Sequence, residues 1–129
     1  MAKTKEVVSK TAVEEYRQAV AADPKSAEAH ANLGWGFYGE DQWEEAVKEF
    51  NEALSLEPGH IDALYGLALT RKCSGAKVEA VKAFNAALAQ LPTLEDQTRS
   101  NVLRRLARGH INFIQSGEWK LRNVLGTDA

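Results

Sequence analysis

Three prolines occur in this chain, at positions 24, 58 and 92, and both intervals between them are 34 residues. A recurrence at that spacing constrains the fold more than any composition figure. A period of three would suggest collagen and one of seven a coiled coil, whereas a period in the thirties signals stacked supersecondary units that bury a face only against their neighbours. The stretch from Ala27 to Pro58 shows what recurs. Its apolar residues follow a helical period, the pattern breaks once at Gly39-Glu40-Asp41, and it stops at Pro58. Two helices joined by a short turn make an αα-hairpin. Shifted by 34 residues, the same skeleton reappears, with Ser74-Gly75 as its turn and Pro92 as its end.

The residue types fit hairpins packed closely side by side. In the first unit His30, Leu33, Gly34 and Phe37 share one stripe of the leading helix, and Ala46, Phe50 and Ala53 face them from the trailing helix. Small residues at 34, 46 and 53 let two helix axes approach, and the phenylalanines fill the space beside them. The second unit offers Leu64, Leu67 and Ala68, then Ala80, Phe84 and Ala87. Before these units, residues from about Lys5 to Ala22 read as one helix with Val8, Ala12, Tyr16, Ala19 and Val20 on its apolar stripe. Asp23-Pro24 ends it, because the residue before a proline is pushed out of the α region, and Ser26 is placed to cap the next helix.

This skeleton resembles the tetratricopeptide repeat. That family's pattern runs large residue, Leu, Gly or Ala, large residue, Ala, aromatic, Ala, Pro; here it is met by His30, Leu33, Gly34, Phe37, Ala46, Phe50, Ala53 and Pro58. Leu64, Leu67, Ala68, Ala80, Phe84, Ala87 and Pro92 meet it a second time, with Arg71 departing at the second large position. Ala12, Tyr16, Ala19 and Pro24 supply only the back half of a repeat. The resemblance implies an all-α fold, a right-handed superhelical stack of αα-hairpins. Its parts would be a half repeat over 8–24, full repeats over 27–60 and 61–94, and a divergent C-terminal cap over 95–129.

Within that cap, Thr93-Leu94-Glu95-Asp96 looks like a capping-box start to a long helix reaching about Gln115. Val102, Leu103, Leu106, His110, Phe113 and Ile114 are its expected buried side. Ser116-Gly117-Glu118-Trp119 resembles the earlier Glu40-Asp41-Gln42-Trp43 turn, and Glu118 to Leu125 read as a short capping helix, since end repeats of a solenoid are atypical.

No catalytic, cofactor or metal constellation emerges. Gly34-Trp35-Gly36-Phe37-Tyr38-Gly39 spells the dinucleotide fingerprint G-x-G-x-x-G, but that motif needs a strand before it, and here a helical segment precedes. Gly34 is explained by helix packing and Gly39 by the turn, while Gly36 stands only as a cost of ~1 kcal/mol to the helix. His30, His60 and His110 lie in separate repeats with no second ligand three or four residues away. Cys73 is the one cysteine, which excludes an internal disulfide and suits a reducing, cytoplasmic setting. Adjacent carboxylates such as Glu44-Glu45 point about 100° apart on a helix and make no acid–base pair. No apolar run approaches the ~20 residues of a membrane span, and no apolar core follows the N-terminal lysines as a secretory signal requires.

Net charge is −2, and it is uneven: residues 1–94 carry −4 and residues 95–129 carry +2, with Arg99, Arg104, Arg105 and Arg108 on one segment. Nucleic acid is nevertheless a poor partner for a slightly acidic chain with no aromatic residues interleaved among its basic ones.

The family resemblance places the leading helices on the concave side of the superhelix. The groove-facing positions it implies are Glu28, Ala31, Trp35 and Tyr38, then Asp62, Tyr65, Leu69 and Lys72. Trp35, Tyr38, Tyr65 and Leu69 are thereby expected on an accessible face, away from the Leu33/Phe37 stripe. One subgroup grips a peptide carboxylate with Lys and Asn on successive leading helices. Asn32 matches one such asparagine, but Asp62 and Gly66 stand where Lys and Arg are needed. A non-catalytic module that takes an apolar or amphipathic protein segment is the reading, with Glu28, Asn32, Trp35, Tyr38, Tyr65, Leu69 and Lys72 as its partner-binding residues. The alternative is a homo-oligomeric scaffold, assembled through the unpaired N-terminal helix and the long C-terminal helix.

Overall fold

The computed structural model describes residues 12–117. Among them are six α-helices, one 310 turn and no strand: α1 (Ala12–Ala22), α2 (Ala27–Gly39), α3 (Trp43–Leu56), α4 (Ile61–Cys73), α5 (Lys77–Gln90), the 310 turn Leu91–Thr93, and α6 (Gln97–Ser116). Val8 and the capping helix expected over Glu118 to Leu125 lie outside the described residues. Consecutive helices pack against one another, and α2 also touches α4, so α2/α3 and α4/α5 form two hairpins stacked side by side. No described helix is long and apolar enough to cross a membrane.

The helix ends follow from specific side chains. Ser26 Oγ accepts the Ala29 N–H at 3.0 Å and starts α2. Asp96 does the same for Arg99 N–H at 3.0 Å, so α6 begins at Gln97, later than the Thr93-Leu94 start expected; the intervening chain is spent on the 310 turn at Pro92. α4 has a cap that sequence reading missed, His60 Nδ1 accepting from Ala63 N–H at 3.2 Å. Both hairpin turns use a left-handed residue at equivalent places, Asp41 at φ +59° and Gly75 at φ +89°. Asp is among the few non-glycine residues that tolerate that region, which is why the two turns differ in sequence but not in course.

Phe50 is the centre of the stack. It is fully buried on α3, and a Cβ added at Gly34 or Gly66 would fall 2.8 Å or 2.3 Å from its ring. One ring thus fills the space between the leading helices of two successive hairpins, and both must be glycine where they meet it. Gly36, left unexplained by sequence, has its reason on the other side of α2. A Cβ there would lie 3.1 Å from Val13 and Tyr16, the residues α1 packs against it.

Three expectations need correction. On α1 the inward face is Val13, Tyr16 and Val20, while Ala12 and Ala19 are exposed because no described helix lies on their side. Ala31 is buried rather than open to a groove, at 1% exposure, as part of the core cluster around Phe50. On α6 the inward face is Ser100, Ala107, Ile111 and Ile114, with Leu103 and His110 half-buried. Val102, Leu106 and Phe113 were expected inside and are exposed, at 44%, 38% and 42%. The helical period was right and its phase was wrong: the larger apolar side chains do not define the buried face here, the small ones that permit close contact with α5 do.

Candidate functional site

The expected partner-binding residues occupy the leading helices α2 and α4. Glu28 is exposed; Asn32, Trp35, Tyr38, Tyr65, Leu69 and Lys72 are half-buried. The aromatic ones are not free of the core. Trp35 meets Phe50 edge-on at 5.4 Å and Tyr38 at 5.5 Å, and Tyr38 continues to Trp43 at 5.6 Å. The separation expected between recognition residues and packing residues is therefore not kept: Trp35 covers the outer edge of the ring that joins the two hairpins.

Tyr38 and Cys73 connect the ends of α2 and α4, with Tyr38 Oη 3.8 Å from Cys73 Sγ. Burial, with the neighbouring Cys73, pushes the Tyr38 phenol up to about 12, and burial alone does the same to Tyr65. Both are neutral hydroxyls at any physiological pH, able to donate one hydrogen bond while presenting a ring face.

α6 borders the row on the α4 side. Arg99 pairs with Asp62 at 2.5 Å near the start of both helices. Further along, Lys72 Nζ donates to His110 Nδ1 at 2.8 Å and lies 4.9 Å from the centre of the Phe113 ring. His110 stacks flat on Phe84 at 5.1 Å and meets Tyr65 edge-on at 6.2 Å. Burial and the Lys72 charge lower the His110 pKa to about 4, so its ring is neutral and accepts from Lys72. α6 thus lies parallel to α4 and beside it, in the place a third leading helix would take, and it narrows the exposure of Tyr65 and Lys72 without covering Trp35.

The other two histidines are structural as well. His30 Nδ1 donates to Glu49 Oε1 at 2.8 Å and Nε2 to the Pro24 carbonyl at 2.7 Å, tying the α1–α2 loop to α3. Two acceptors call for a doubly protonated ring. Burial opposes the charge, but the hydrogen bonds to Glu49 and Pro24 and the charges of Glu49 and Glu52 raise its pKa above the usual histidine value. His60 is the α4 cap. Among the described residues no group of three or more His, Cys, Asp or Glu is placed to hold a metal.

Two clefts lie away from the aromatic row. One of about 260 Å³, between the starts of α4 and α6, is lined by Glu57, His60, Asp62 and Arg99, but His60 is engaged as a cap and Asp62 with Arg99. The other, of about 290 Å³, lies between the start of α5 and the end of α6 over Val78, Val81 and Ile114, with Lys77 and Lys82 at its rim.

Comparison with known proteins fits this geometry. Residues 27–60, one hairpin with its flanking turns, match the tetratricopeptide repeat family. No curated protein sequence matches. Among solved structures, the second TPR domain of human RPAP3, determined in complex with an HSP70 peptide, is similar at TM-score 0.66 and 23% identity, over 81% of this chain and 78% of that one. Two crystal structures of MamA are similar at TM-score 0.68, with 24% and 22% identity, over 88% and 89% of this chain. The chain spans only 60% and 57% of those MamA chains. Residues 27–60 thus carry one tetratricopeptide-repeat match, and the stacked hairpins around it have the fold seen in that RPAP3 domain and in MamA.

Proposed function

We propose that this protein is a non-catalytic interaction module that holds an apolar or amphipathic protein segment along its leading helices. The observation that carries this reading is the row of Trp35, Tyr38, Tyr65 and Leu69, half-buried side chains on α2 and α4 that keep part of each surface open. Rigid aromatic rings already fixed by packing lose little entropy when a partner covers them, and they bury large area. A similar domain, that of human RPAP3, was determined with a bound peptide, which supports a peptide as the class of partner. Lys72 is drawn toward His110 and Phe113, so it contributes at the edge of the row rather than as a free cation.

The test is capture of partners from an extract by the wild type and by Trp35→Ala plus Tyr65→Ala. Capture should be lost while the helical circular dichroism remains. Because Trp35 also packs on Phe50, Trp35→Phe is the companion variant: it keeps the core contact and should retain part of the binding. Undiminished capture by the double variant removes the row from the site.

A further inference from the structure

A seam runs between α5 and α6 on the side turned from the concave row. At one end it opens into the apolar cleft of about 290 Å³, with Val78, Val81 and Ile114 as its floor and Lys77, Lys82 and Gln115 at its rim. Val78 is 66% exposed, the most open of the large apolar side chains described. One turn further along lies a second cleft of about 420 Å³ between the same helices, lined by Asn85, Leu88, Arg108, Ile111 and Asn112. No residue of α2 or α4 takes part in either. Gln115 sits about 140° round α6 from His110, the residue that faces α4.

The chain reaches this seam at its apolar end. α6 stops at Gly117, which is left-handed at φ +78° and donates its N–H to the Phe113 carbonyl at 2.8 Å. α2 and α4 are likewise followed by a left-handed residue, Asp41 and Gly75, and a trailing helix starts two residues later, at Trp43 and at Lys77. The same count from Gly117 reaches Trp119. The two earlier turns carry the chain back into the layer of α3 and α5, and the next place in that layer is the seam. Ile114 and Gln115 line the cleft only a few residues before the turn, so an indole at 119 is within reach of it.

Charge and polarity decide how much of the segment docks. Lys77 and Lys82 have no ionic partner among the described residues, and Glu118 directly precedes Trp119. A glutamate at the mouth is attracted by both ammonium groups, and the Gln115 carboxamide oxygen can accept from the indole N–H. Beyond the first turn the match ends. Arg122 comes three residues after Trp119, on the same helical side, and would be carried toward Arg108. The apolar end of the seam is a seat for one ring, not for a long helix.

We propose that residues 118–120 fold back over the cleft, with the Trp119 indole on Val78, Val81 and Ile114 and Glu118 beside Lys77 and Lys82. Held there, the segment stays off the concave row and leaves Trp35 and Tyr65 open to a partner.

The test uses the full chain with Trp35→Phe and Trp43→Phe, which leave Trp119 as the one tryptophan. Its emission should be blue-shifted relative to a free indole and poorly quenched by acrylamide. Val78→Glu puts a carboxylate on the floor at a position that is already open to solvent, so the helices are kept. It should shift the emission to the red and raise the quenching severalfold. Glu118→Lys should raise it less, and added salt should act in the same direction. In the unaltered protein, nuclear Overhauser cross-peaks should join the Trp119 ring to the Val78 and Val81 methyl groups.

Red, readily quenched emission from Trp119 before any further change overturns the proposal. So does shielded emission that Val78→Glu leaves as it was. If Tyr65→Ala exposes the indole instead, Trp119 lies on the concave row and not in the seam. Shielding that disappears on dilution assigns the ring to a second copy and equally overturns the proposal. Missing cross-peaks to both valines in the unaltered protein overturn it whatever the emission shows.

Discussion

Gly66→Ala should be the most informative single methyl group added to this protein. In an exposed helix interior the change from glycine to alanine is worth about 1 kcal/mol in favour of folding. Here the new Cβ would fall 2.3 Å from Phe50 Cζ and 2.5 Å from Cε1. The ring cannot retreat, because Gly34 on the opposite helix leaves only 2.8 Å to a Cβ of its own and Phe50 has no solvent-exposed edge. Overpacking of a confined core site costs about 1–3 kcal/mol, and at distances this short the upper part of that range applies, leaving a net loss of about 1–2 kcal/mol. Gly39, at the end of the leading helix of the first repeat, is the control: nothing lies within 4 Å of its added Cβ, and its φ is not positive. Gly39→Ala should therefore be stabilising, by up to about 1 kcal/mol. In urea denaturation the two midpoints should differ by about 1–2 M, given a slope of roughly 1–2 kcal/mol per M for a domain of this size. Phe50→Leu made in the Gly66→Ala background should cost about 1 kcal/mol less than in the wild type, because it removes the ring that the methyl group strikes. A Gly66→Ala protein as stable as Gly39→Ala would refute the claim that one ring sets the spacing of the two hairpins.

The histidines predict opposite pH slopes. His110 has a folded pKa of about 4, below the 6.5 of an ordinary histidine, so between those values the unfolded chain binds a proton that the folded one refuses. Stability should fall as pH drops from 6.5 toward 4, by about 1–2 kcal/mol after allowance for solvent around a half-buried ring, and His110→Gln should flatten that limb of the thermal-melt profile. His30, raised above 6.5, contributes its stabilisation fully below that value and loses it as pH rises through its folded pKa. His30→Gln should therefore remove a loss on the alkaline side, while an NMR titration places His30 above and His110 below the ordinary histidine midpoint. The Asp62–Arg99 pair is half open to water on both sides, so Arg99→Ala should change stability by no more than about 0.5 kcal/mol.

The hairpins were legible because proline, glycine and aromatic positions recur at one interval, and each has a local physical meaning. What sequence could not give was phase. On α6, Leu106 and Phe113 look like core by size, yet the buried positions are Ala107, packed on α5, and Ser100, bonded to Leu91 in the 310 turn. A hydrophobicity pattern ranks side chains by transfer energy and is blind to how near two helix axes lie. The same blindness hid the use of Gly36, whose partners Val13 and Tyr16 lie a helix away. It also made Trp35 look dispensable for packing, since its contact with Phe50 crosses from one helix to the next. The His60 cap was missed for a chemical reason: imidazole is an uncommon acceptor at a helix start, and serine, threonine, asparagine and aspartate are the residues a reader looks for.

The repeat-equivalent of Phe50 is Phe84, and the two rings meet different things. Phe50 is gripped by glycines on both flanking helices, whereas Phe84 meets the flat face of His110. At Phe50 the next helix meets the ring with its backbone, while at Phe84 it meets the ring with another ring. The contact between α5 and α6 is therefore less interlocked around its phenylalanine than the contact between α3 and α4. Opening of α6 should need less free energy than opening of α2 through α5, and its amides should exchange with solvent deuterium ahead of the rest of the protein. Protonating one imidazole at low pH should widen that gap, letting the last helix leave while the two hairpins beneath it stay folded.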